Sequence, residues 1–119
     1  MNERELTTGL ISAYINTILL KIISLEDAYG YSISKKISII TDNMCELKEA
    51  SMYSALRRLE NEKLIESYWG EESQGGRRKY YRLTDEGYAE LQVSEKKWEL
   101  TKVLMDKIMG VIKNEQGIN

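Results

Sequence analysis

Apolar residues near the N-terminus recur at helical spacing on two adjoining stripes between Leu10 and Ile23. A helix that is apolar over so wide an arc has two sides to bury. One side is expected to face its own domain and the other a second partner. Residues 1–8 are polar and are expected to be frayed. The two stripes consist of Leu10, Ile11, Tyr14, Ile15, Ile18, Leu19, Ile22 and Ile23.

A second helix is predicted after Gly30, which interrupts the first helical pattern. Its inward face is marked by Ile33, Ile37 and Ile40, at separations of four and three residues. The stretch Thr41-Asp42-Asn43 consists of poor helix-interior residues and marks its end.

A third helix is predicted over about residues 48–63, with one apolar and one polar face. At about 100° per residue, the polar face carries groups able to hydrogen-bond to base edges and phosphates. A plain solvated face is the alternative when this helix is considered alone. The apolar face is Met52, Leu56 and Leu59, and the polar face is Ser54, Arg57 and Asn61, with Tyr53 and Arg58 flanking it.

Residues 64–83 favour β-structure and predict a two-stranded hairpin. The first strand is LIESYWG and the returning strand is KYYRL. The connection EESQGGRR contains a Gly-Gly pair and is longer than a tight two-residue turn. Alternation places Ile65, Ser67 and Trp69 on one face of the first strand and Glu66 and Tyr68 on the other.

A long final helix is predicted over about residues 85–113. Thr84 is a favourable N-cap, and Asp85 and Glu86 follow in the first turn, where the helix dipole stabilises acids. A heptad seam then runs for three heptads. Because few later residues could cover this seam, a second copy of the chain is its expected partner. The seam consists of Leu91, Ser94, Trp98, Thr101, Met105, Ile108 and Ile112.

The composition of the 119 residues, 42% hydrophobic and 30% charged, is that of one ordinary soluble globular domain. No apolar run approaches the roughly 20 residues of a membrane span, and the N-terminus lacks a signal-peptide pattern, so a cytoplasmic location is expected. The net charge is −2, yet Arg77, Arg78, Lys79 and Arg82 are clustered. Because charges act over only about 8–10 Å at physiological salt, a local basic patch can still bind nucleic acid.

The sequence contains no histidine, and Cys45 is its only cysteine. These absences remove the usual general base, the Ser-His and Cys-His nucleophiles and most transition-metal sites. No glycine-rich phosphate loop follows a strand. Enzyme activity, a bound metal and a cofactor are therefore not expected, and Cys45 is interpreted as a partly buried thiol.

The order helix, helix, helix, hairpin, long helix predicts a mainly helical (α+β) winged helix-turn-helix fold. In that fold the third helix enters the major groove, and the hairpin, called the wing, reaches phosphates beside it. Glycines allow close approach of the wing backbone, and Arg77, Arg78 and Lys79 supply the counter-charge. We divide this compact unit into a DNA-binding part, residues 1–83, and a dimerisation helix with its tail, residues 84–119.

The chain resembles the PadR family of transcriptional regulators over about residues 10–112. The stretches that carry the resemblance are AYGYSISKKI (28–37), LKEASMYSALRRLENEKLIES (47–67) and GGRRKYYRLTDEG (75–87). Within the family, SYWGEESQGGRRKYYRLT (67–84) together with Trp98 is similar to the short-tailed, multidrug-sensing branch typified by LmrR. The resemblance implies a cytoplasmic homodimer that binds a pseudo-palindromic operator on double-stranded DNA, usually as a repressor.

The resemblance also implies roles for individual residues. The recognition helix would begin near Lys48 and face DNA with Ser51, Tyr53, Ser54 and Arg57. Lys35 and Lys36 of the second helix would touch backbone phosphates, with a plain solvated face as an equal alternative. The wing contact would consist of Gly75, Gly76, Arg77, Arg78 and Lys79.

Trp98 is implied to meet its symmetry mate across a dimer pore, where planar aromatic molecules stack between the two indoles. Packing in the dimer core is the alternative for this residue. Lys102, one turn later, stands where an acidic group would favour cationic ligands, although Glu95 and Glu99 are nearby. The first-helix residues expected to face the same space are Leu10, Ile11 and Tyr14.

Two functions follow from these patterns. The first is a ligand-responsive, dimeric DNA-binding repressor. The second is a protein-interaction module, in which the winged helix docks another regulator and the basic wing holds an acidic partner. Salt-sensitive binding to the DNA around its own gene favours the first, and failure to bind any DNA at low salt favours the second.

Overall fold

The computed structural model describes residues 2–71 and 76–113 and confirms the winged helix-turn-helix with a long C-terminal helix. The elements in chain order are α1 (Glu3–Ser12), α2 (Ile15–Leu25), β1 (Ala28–Tyr29), α3 (Gly30–Ile40), α4 (Glu49–Asn61), β2 (Ile65–Trp69), β3 (Lys79–Leu83) and α5 (Asp85–Lys113).

The hydrophobic core lies where α2, α3 and α4 meet the small sheet. Leu19, Ile33 and Leu56 have no exposed surface, and Ile65 of β2 and Tyr81 of β3 close the core from the sheet side. Burial of one such aliphatic side chain stabilises the fold by about 1.5–3 kcal/mol. The inward faces predicted for α3 and α4 are confirmed at Ile33, Ile37, Met52, Leu56 and Leu59.

Ile40 is a wrong prediction, because it is 61% exposed at the last turn of α3. The loop after α3 returns Cys45 and Leu47 to the core instead. The Cys45 backbone N–H donates to Thr41 Oγ1 at 3.4 Å, which holds that loop against the helix end.

The single first helix predicted from periodicity is also wrong, because α1 and α2 meet at a bend of 84°. At the bend, the Tyr14 N–H donates to the Ile11 carbonyl at 2.9 Å, and the Tyr14 ring packs against Trp98 of α5. Farther along α1, Thr7 Oγ1 donates to the Met44 carbonyl at 2.7 Å. Hydrophobic periodicity carries no information about these tertiary contacts.

The N-terminal residues were expected to be frayed, but α1 begins at Glu3. Asn2 is the reason, because its side-chain oxygen accepts the Glu5 N–H at 2.8 Å and caps the helix. Among the described residues, no single helix is long and apolar enough to cross a membrane. One bent pair, Glu5–Ser12 with Ile15–Leu25, reaches that length and composition only when its two parts are taken together.

The sheet has three antiparallel strands in the order β1-β3-β2, so a short strand joins the two predicted strands of the wing. Tyr81 of β3 pairs with Ala28 on one side and Ser67 on the other. Beyond the strands, the Gly70 N–H donates to the Arg78 carbonyl at 2.8 Å and extends the hairpin toward its tip. The wing is thereby attached to the chain between α2 and α3.

Both helices of the helix-turn-helix end in the same hydrogen-bond pattern. After α4, the Leu64 N–H donates to the Leu59 carbonyl and the Lys63 N–H to the Glu60 carbonyl, each at 3.0 Å. This is a Schellman motif, in which the residue with a positive φ is usually glycine. Here that residue is Lys63, with φ 63°, and the equivalent residue after α3 is Asp42, with φ 52°.

The start of α5 is fixed by Thr84, as predicted. Its Oγ1 accepts the Gly87 N–H at 3.0 Å, which is the N-cap hydrogen bond. The same hydroxyl donates to the Lys63 carbonyl at 2.7 Å, so one side chain joins the end of α4 to the start of α5. Gly87 leaves room for this junction, because a Cβ there would overlap the Leu64 carbonyl oxygen.

We predict that Lys63→Gly raises the free energy of unfolding by about 1 kcal/mol, because a non-glycine residue in the left-handed region is strained. Urea unfolding followed by circular dichroism measures the change. Lys97→Gly is the matched control. The same substitution inside the exposed part of α5 lowers the stability by about 1 kcal/mol. If both substitutions change the free energy of unfolding by the same amount and in the same direction, Lys63 is not strained.

Candidate nucleic-acid interface

The outward face of α4 presents polar side chains because its opposite face is held in the core. Ser51, Ser54 and Arg57 are exposed, and Tyr53 is half-buried beside them. Lys48 is exposed at the N-cap position. Four of the five residues predicted for the recognition helix are therefore open to solvent, and the fifth, Tyr53, is partly so.

A groove of about 870 Å³ lies beside this face, between α1 and the first turns of α3 and α4. Lys48, Ser51 and Tyr53 line it on the α4 side. Tyr31 and Ser34 of α3 line it too, and sequence reasoning missed both. Their only sequence signal is their position in the two turns that follow Gly30. Three carboxylates, those of Glu5, Glu46 and Glu49, also lie along the groove.

The wing cations lie over aromatic rings. The Arg77 guanidinium is 5.5 Å from the Trp69 ring centroid, and the Arg78 guanidinium is 4.7 Å from that of Tyr29. Such contacts stabilise by about 0.5–1 kcal/mol at exposed sites and restrict the orientation of the guanidinium. Gly76, with φ 91°, has the left-handed backbone that glycine favours. Gly75, the other predicted wing glycine, lies outside the described residues.

Lys79 is placed differently from the two arginines. Its Nζ lies 3.7 Å from Glu60 Oε1 of α4 and 5.7 Å from the Tyr81 ring centroid. Part of its charge is thus neutralised within the protein. Lys36 on α3 is similar, with its Nζ 3.2 Å from Glu26 Oε1, whereas Lys35 is exposed. Of these predicted phosphate contacts, Arg77 and Arg78 are the two placed at the exposed wing tip without a carboxylate partner among the described residues.

The outer face of the sheet carries a row of tyrosines. The Tyr29 and Tyr80 ring centroids are 5.3 Å apart edge to face, and Tyr80 stacks on Tyr68 at 5.7 Å. Arg82 closes the row, with its guanidinium 5.2 Å from the Tyr68 ring and its Nε 2.7 Å from Glu66 Oε1. The hydrogen bond to Glu66 raises the pKa of Arg82. Arg82 therefore stabilises the wing rather than extending from it.

The inner face of the sheet joins the wing to the recognition helix. Tyr81 is 4% exposed, and the Ser67 hydroxyl donates to Glu60 of α4. Burial, followed by the negative charge of Glu60, raises the pKa of Tyr81. On the outer face, the hydrogen bond to Asp27 raises the pKa of Tyr68.

A second candidate surface is the apolar side of α5 near the α1–α2 bend. Trp98 and Tyr14 meet there with ring centroids 5.4 Å apart at 67°. Leu10 of α1 is exposed, whereas Ile11 packs against the core. The structure thus brings Trp98 and Tyr14 into contact and places Ile11 farther inward.

The predicted seam on α5 begins later than its pattern indicated. Leu91 is 5% exposed and belongs to the core of its own chain. From Ser94 onward the described seam residues are partly or well exposed, and the side chain of Ile112 lies outside the described residues. The large apolar side chains that are 43–57% exposed along this part of α5 are Trp98, Leu100, Val103, Leu104, Met105, Ile108 and Met109.

Both acidic residues near Trp98 are paired with lysines. Lys102 Nζ lies 5.7 Å from the Trp98 ring centroid and 3.1 Å from Glu99 Oε2. Glu95 Oε1 lies 3.5 Å from Lys21 Nζ of α2. Neither carboxylate therefore supplies an uncompensated negative charge beside the indole. Among residues 2–71 and 76–113, no group of three or more His, Cys, Asp or Glu side chains could hold a metal ion.

A polar-faced recognition helix beside a basic wing defines a DNA-binding transcriptional regulator of the winged helix-turn-helix class. The model of the PadR-like family of transcriptional regulators matches residues 19–93 of this chain. The chain belongs to that family.

Solved structures show the same fold. The chain is similar to a transcriptional regulator from Clostridium thermocellum, with 44% identity, a TM-score of 0.76, and coverage of 84% of this chain and 94% of that one. It is also similar to a PadR family transcription regulator from Clostridium difficile R20291, with 40% identity, a TM-score of 0.71, and coverage of 81% and 98%. An uncharacterised protein of Lysinibacillus sphaericus is 42% identical over 102 residues, which are 86% of this chain and 94% of the relative.

We predict that the Tyr81 phenol makes the protein less stable at alkaline pH. The folded state holds the Tyr81 proton more tightly than the unfolded chain, whose pKa is about 10. The contribution of the protonated Tyr81 phenol to the free energy of unfolding is therefore complete below pH 10. It is lost as the pH rises through the higher pKa of the folded state. Urea unfolding between pH 8 and 11 measures the loss.

Tyr81→Phe removes the titrating hydroxyl, so its stability is expected to decline less steeply above pH 10. Tyr88→Phe, at an exposed position of α5, is the control and should follow the wild type. Parallel curves for the wild type and Tyr81→Phe would show that Tyr81 does not contribute.

Proposed function

We propose that this protein is a homodimeric repressor that binds a pseudo-palindromic operator through α4 and the wing. One observation carries the proposal. The exposed polar face of α4 lies beside a wing whose Arg77 and Arg78 make no ion pair with a carboxylate among the described residues. Two arginines so placed can neutralise phosphates, while the side chains of α4 contact base edges.

The apolar side of α5 supports the dimer. Of the large side chains already named, Trp98, Met105 and Ile108 lie at the heptad positions of the seam, and each is about half exposed in the single chain. A second copy presents the same spacing and can bury these side chains in a helix–helix seam. A two-fold dimer places its recognition helices on half-sites about 34 Å apart, or a multiple of that distance.

The aromatic pair at the bend supports release by a ligand of the multidrug-sensing type. Trp98 is 43% exposed and Tyr14 is 45% exposed, so an indole and a phenol face the side on which the second copy would pack. A planar aromatic molecule can stack on both rings at a small cost in side-chain entropy. The lysine–glutamate pairs around Trp98 leave little net charge, and this favours neutral ligands over cations.

We predict that Arg77→Ala with Arg78→Ala weakens binding to operator and random DNA alike and lowers the salt slope by up to about 2. The probe is the DNA upstream of the protein's own gene, located by footprinting. Fluorescence anisotropy at several salt concentrations then measures the affinity. The two arginines are expected to act on affinity rather than on sequence preference, because phosphate contacts carry no sequence information.

Lys96→Ala with Lys97→Ala is the matched control, because it removes the same two positive charges from α5. This control should keep most of the affinity and the full salt slope. Equal loss in both double variants would sink the assignment of the wing. A wild-type protein that binds no DNA at low salt would instead favour the protein-interaction module.

We predict that planar aromatic dyes quench the fluorescence of Trp98 and weaken operator binding. In the Trp69→Phe variant, Trp98 is the only tryptophan, so the quenching reports on this residue alone. Thermodynamic linkage requires that the dye weakens DNA binding by the same factor by which DNA weakens dye binding.

Trp98→Ala should abolish dye binding, whereas Trp69→Phe should retain it. Isothermal titration with both variants, which keep one tryptophan each, provides the comparison. Dye affinity that is unchanged in Trp98→Ala would refute the platform, and Trp98 would then be a packing residue of the dimer.

A further inference from the structure

We propose that the consecutive residues Tyr29 and Gly30, where β1 passes into α3, position both halves of the DNA interface. Tyr29 orients Arg78 of the wing, and Gly30 admits the Tyr53 side chain of the recognition helix. The proposal rests on the DNA binding proposed above. It assigns positioning roles to two residues that do not themselves need to touch DNA.

Gly30 is required for space rather than for backbone conformation. It is the first residue of α3 and does not have a positive φ. A Cβ built on Gly30 would lie 2.6 Å from Tyr53 Cζ and would overlap the Tyr53 hydroxyl. Because real Cβ atoms do not approach ring carbons that closely, any other residue at position 30 must displace the phenol.

The displaced side chain would be one of the recognition residues. Tyr53 is half-buried, so part of its ring lies against α3 and part remains open on the outward face of α4. With Gly30 in place, the hydroxyl end of the Tyr53 ring lies against the first turn of α3, and Gly30, Ser51 and Tyr53 line one open groove. A ring pushed outward would enter the space in which base edges must be read.

Tyr29 acts on the wing through its ring. The Arg78 guanidinium lies 4.7 Å from the Tyr29 centroid, and Tyr29 also packs edge to face on Tyr80 of β3. The Tyr29 backbone is itself fixed, because it pairs with Tyr80 in the sheet and its N–H donates to Ser32 Oγ at 3.0 Å. An arginine stacked on so rigid a ring retains less rotamer freedom to lose when it binds a phosphate.

The two residues predict different losses. Gly30→Ala should lower the affinity for the operator by about tenfold, with at most a twofold change for random DNA, because base readout is disturbed. Tyr29→Leu should lower both affinities together, by about threefold to tenfold, and reduce the salt slope. Tyr29→Phe keeps a ring under the guanidinium and should bind as the wild type does.

The experiment measures anisotropy with operator and scrambled DNA for the wild type and these variants, together with their melting temperatures. Gly110→Ala and Tyr88→Leu are the controls, because a Cβ at Gly110 meets no atom within 4 Å and Tyr88 is exposed on α5. A wild-type protein that binds neither DNA would overturn the proposed function. If the wild type binds DNA and Gly30→Ala leaves the ratio of operator affinity to scrambled-DNA affinity unchanged, only the role of Gly30 is overturned.

A double-mutant comparison covers the case in which Gly30→Ala fails to fold. In a Tyr53→Ala background the obstructing ring is gone, so adding Gly30→Ala should change neither the melting temperature nor the operator affinity. A further loss in that double variant would show that Gly30 acts through something other than Tyr53, and the proposal would fall.

The role of Tyr29 also has a readout without DNA. In an NMR spectrum the Arg78 Nε–H proton, which belongs to the guanidinium over the Tyr29 ring, should be shifted upfield by the ring current. The shift should persist in Tyr29→Phe and disappear in Tyr29→Leu. A resonance at the same position in all three proteins would refute the stacking, whatever the DNA affinities.

Discussion

The packing of α4 against the core controls what this protein presents to DNA. Leu56 has no exposed surface, and Met52 and Leu59 on either side of it are nearly as buried. Rotating α4 would bring apolar residues into water, at a cost of about 25 cal/mol for each Å² exposed. The opposite face, with Ser54 and Arg57, is therefore held outward by side chains that never approach DNA. Recognition in this fold is a consequence of core packing.

The positive charges of the wing are also held in place by neighbouring side chains. A chain of net charge −2 has no overall excess of positive charge to attract DNA, so the placement of its cations matters more than their number. The Lys79–Glu60 ion pair joins β3 to α4, and the Arg82–Glu66 ion pair joins the two strands of the hairpin. Arg77 and Arg78 lie on rings instead, and these rings orient the guanidinium groups without neutralising them.

Sequence patterns predicted the elements that depend on local spacing and missed the contacts between distant residues. The faces of α3 and α4, the two main strands and the length of α5 all follow from periodicity and caps. At the bend before α2, Tyr14 meets Trp98, 84 residues later, and the ring beneath Arg78 is Tyr29, 49 residues earlier. The spacing of residues along the chain does not predict contacts between such distant pairs. The choice of Leu91 as a seam residue failed for the same reason, because its spacing fits equally well with the core of its own chain.

The bend between α1 and α2 gives the N-terminal helix the geometry of a lever. α1 has ten residues and is about 15 Å long, and its pivot at Tyr14 touches Trp98. Its other end lies along the groove beside the recognition helix, where Asn2 and Glu5 form part of the wall. A tilt of about 10° at the pivot moves that far end by roughly 3 Å over this length. A small shift of the Trp98 ring on α5 would therefore change the width of the groove beside α4.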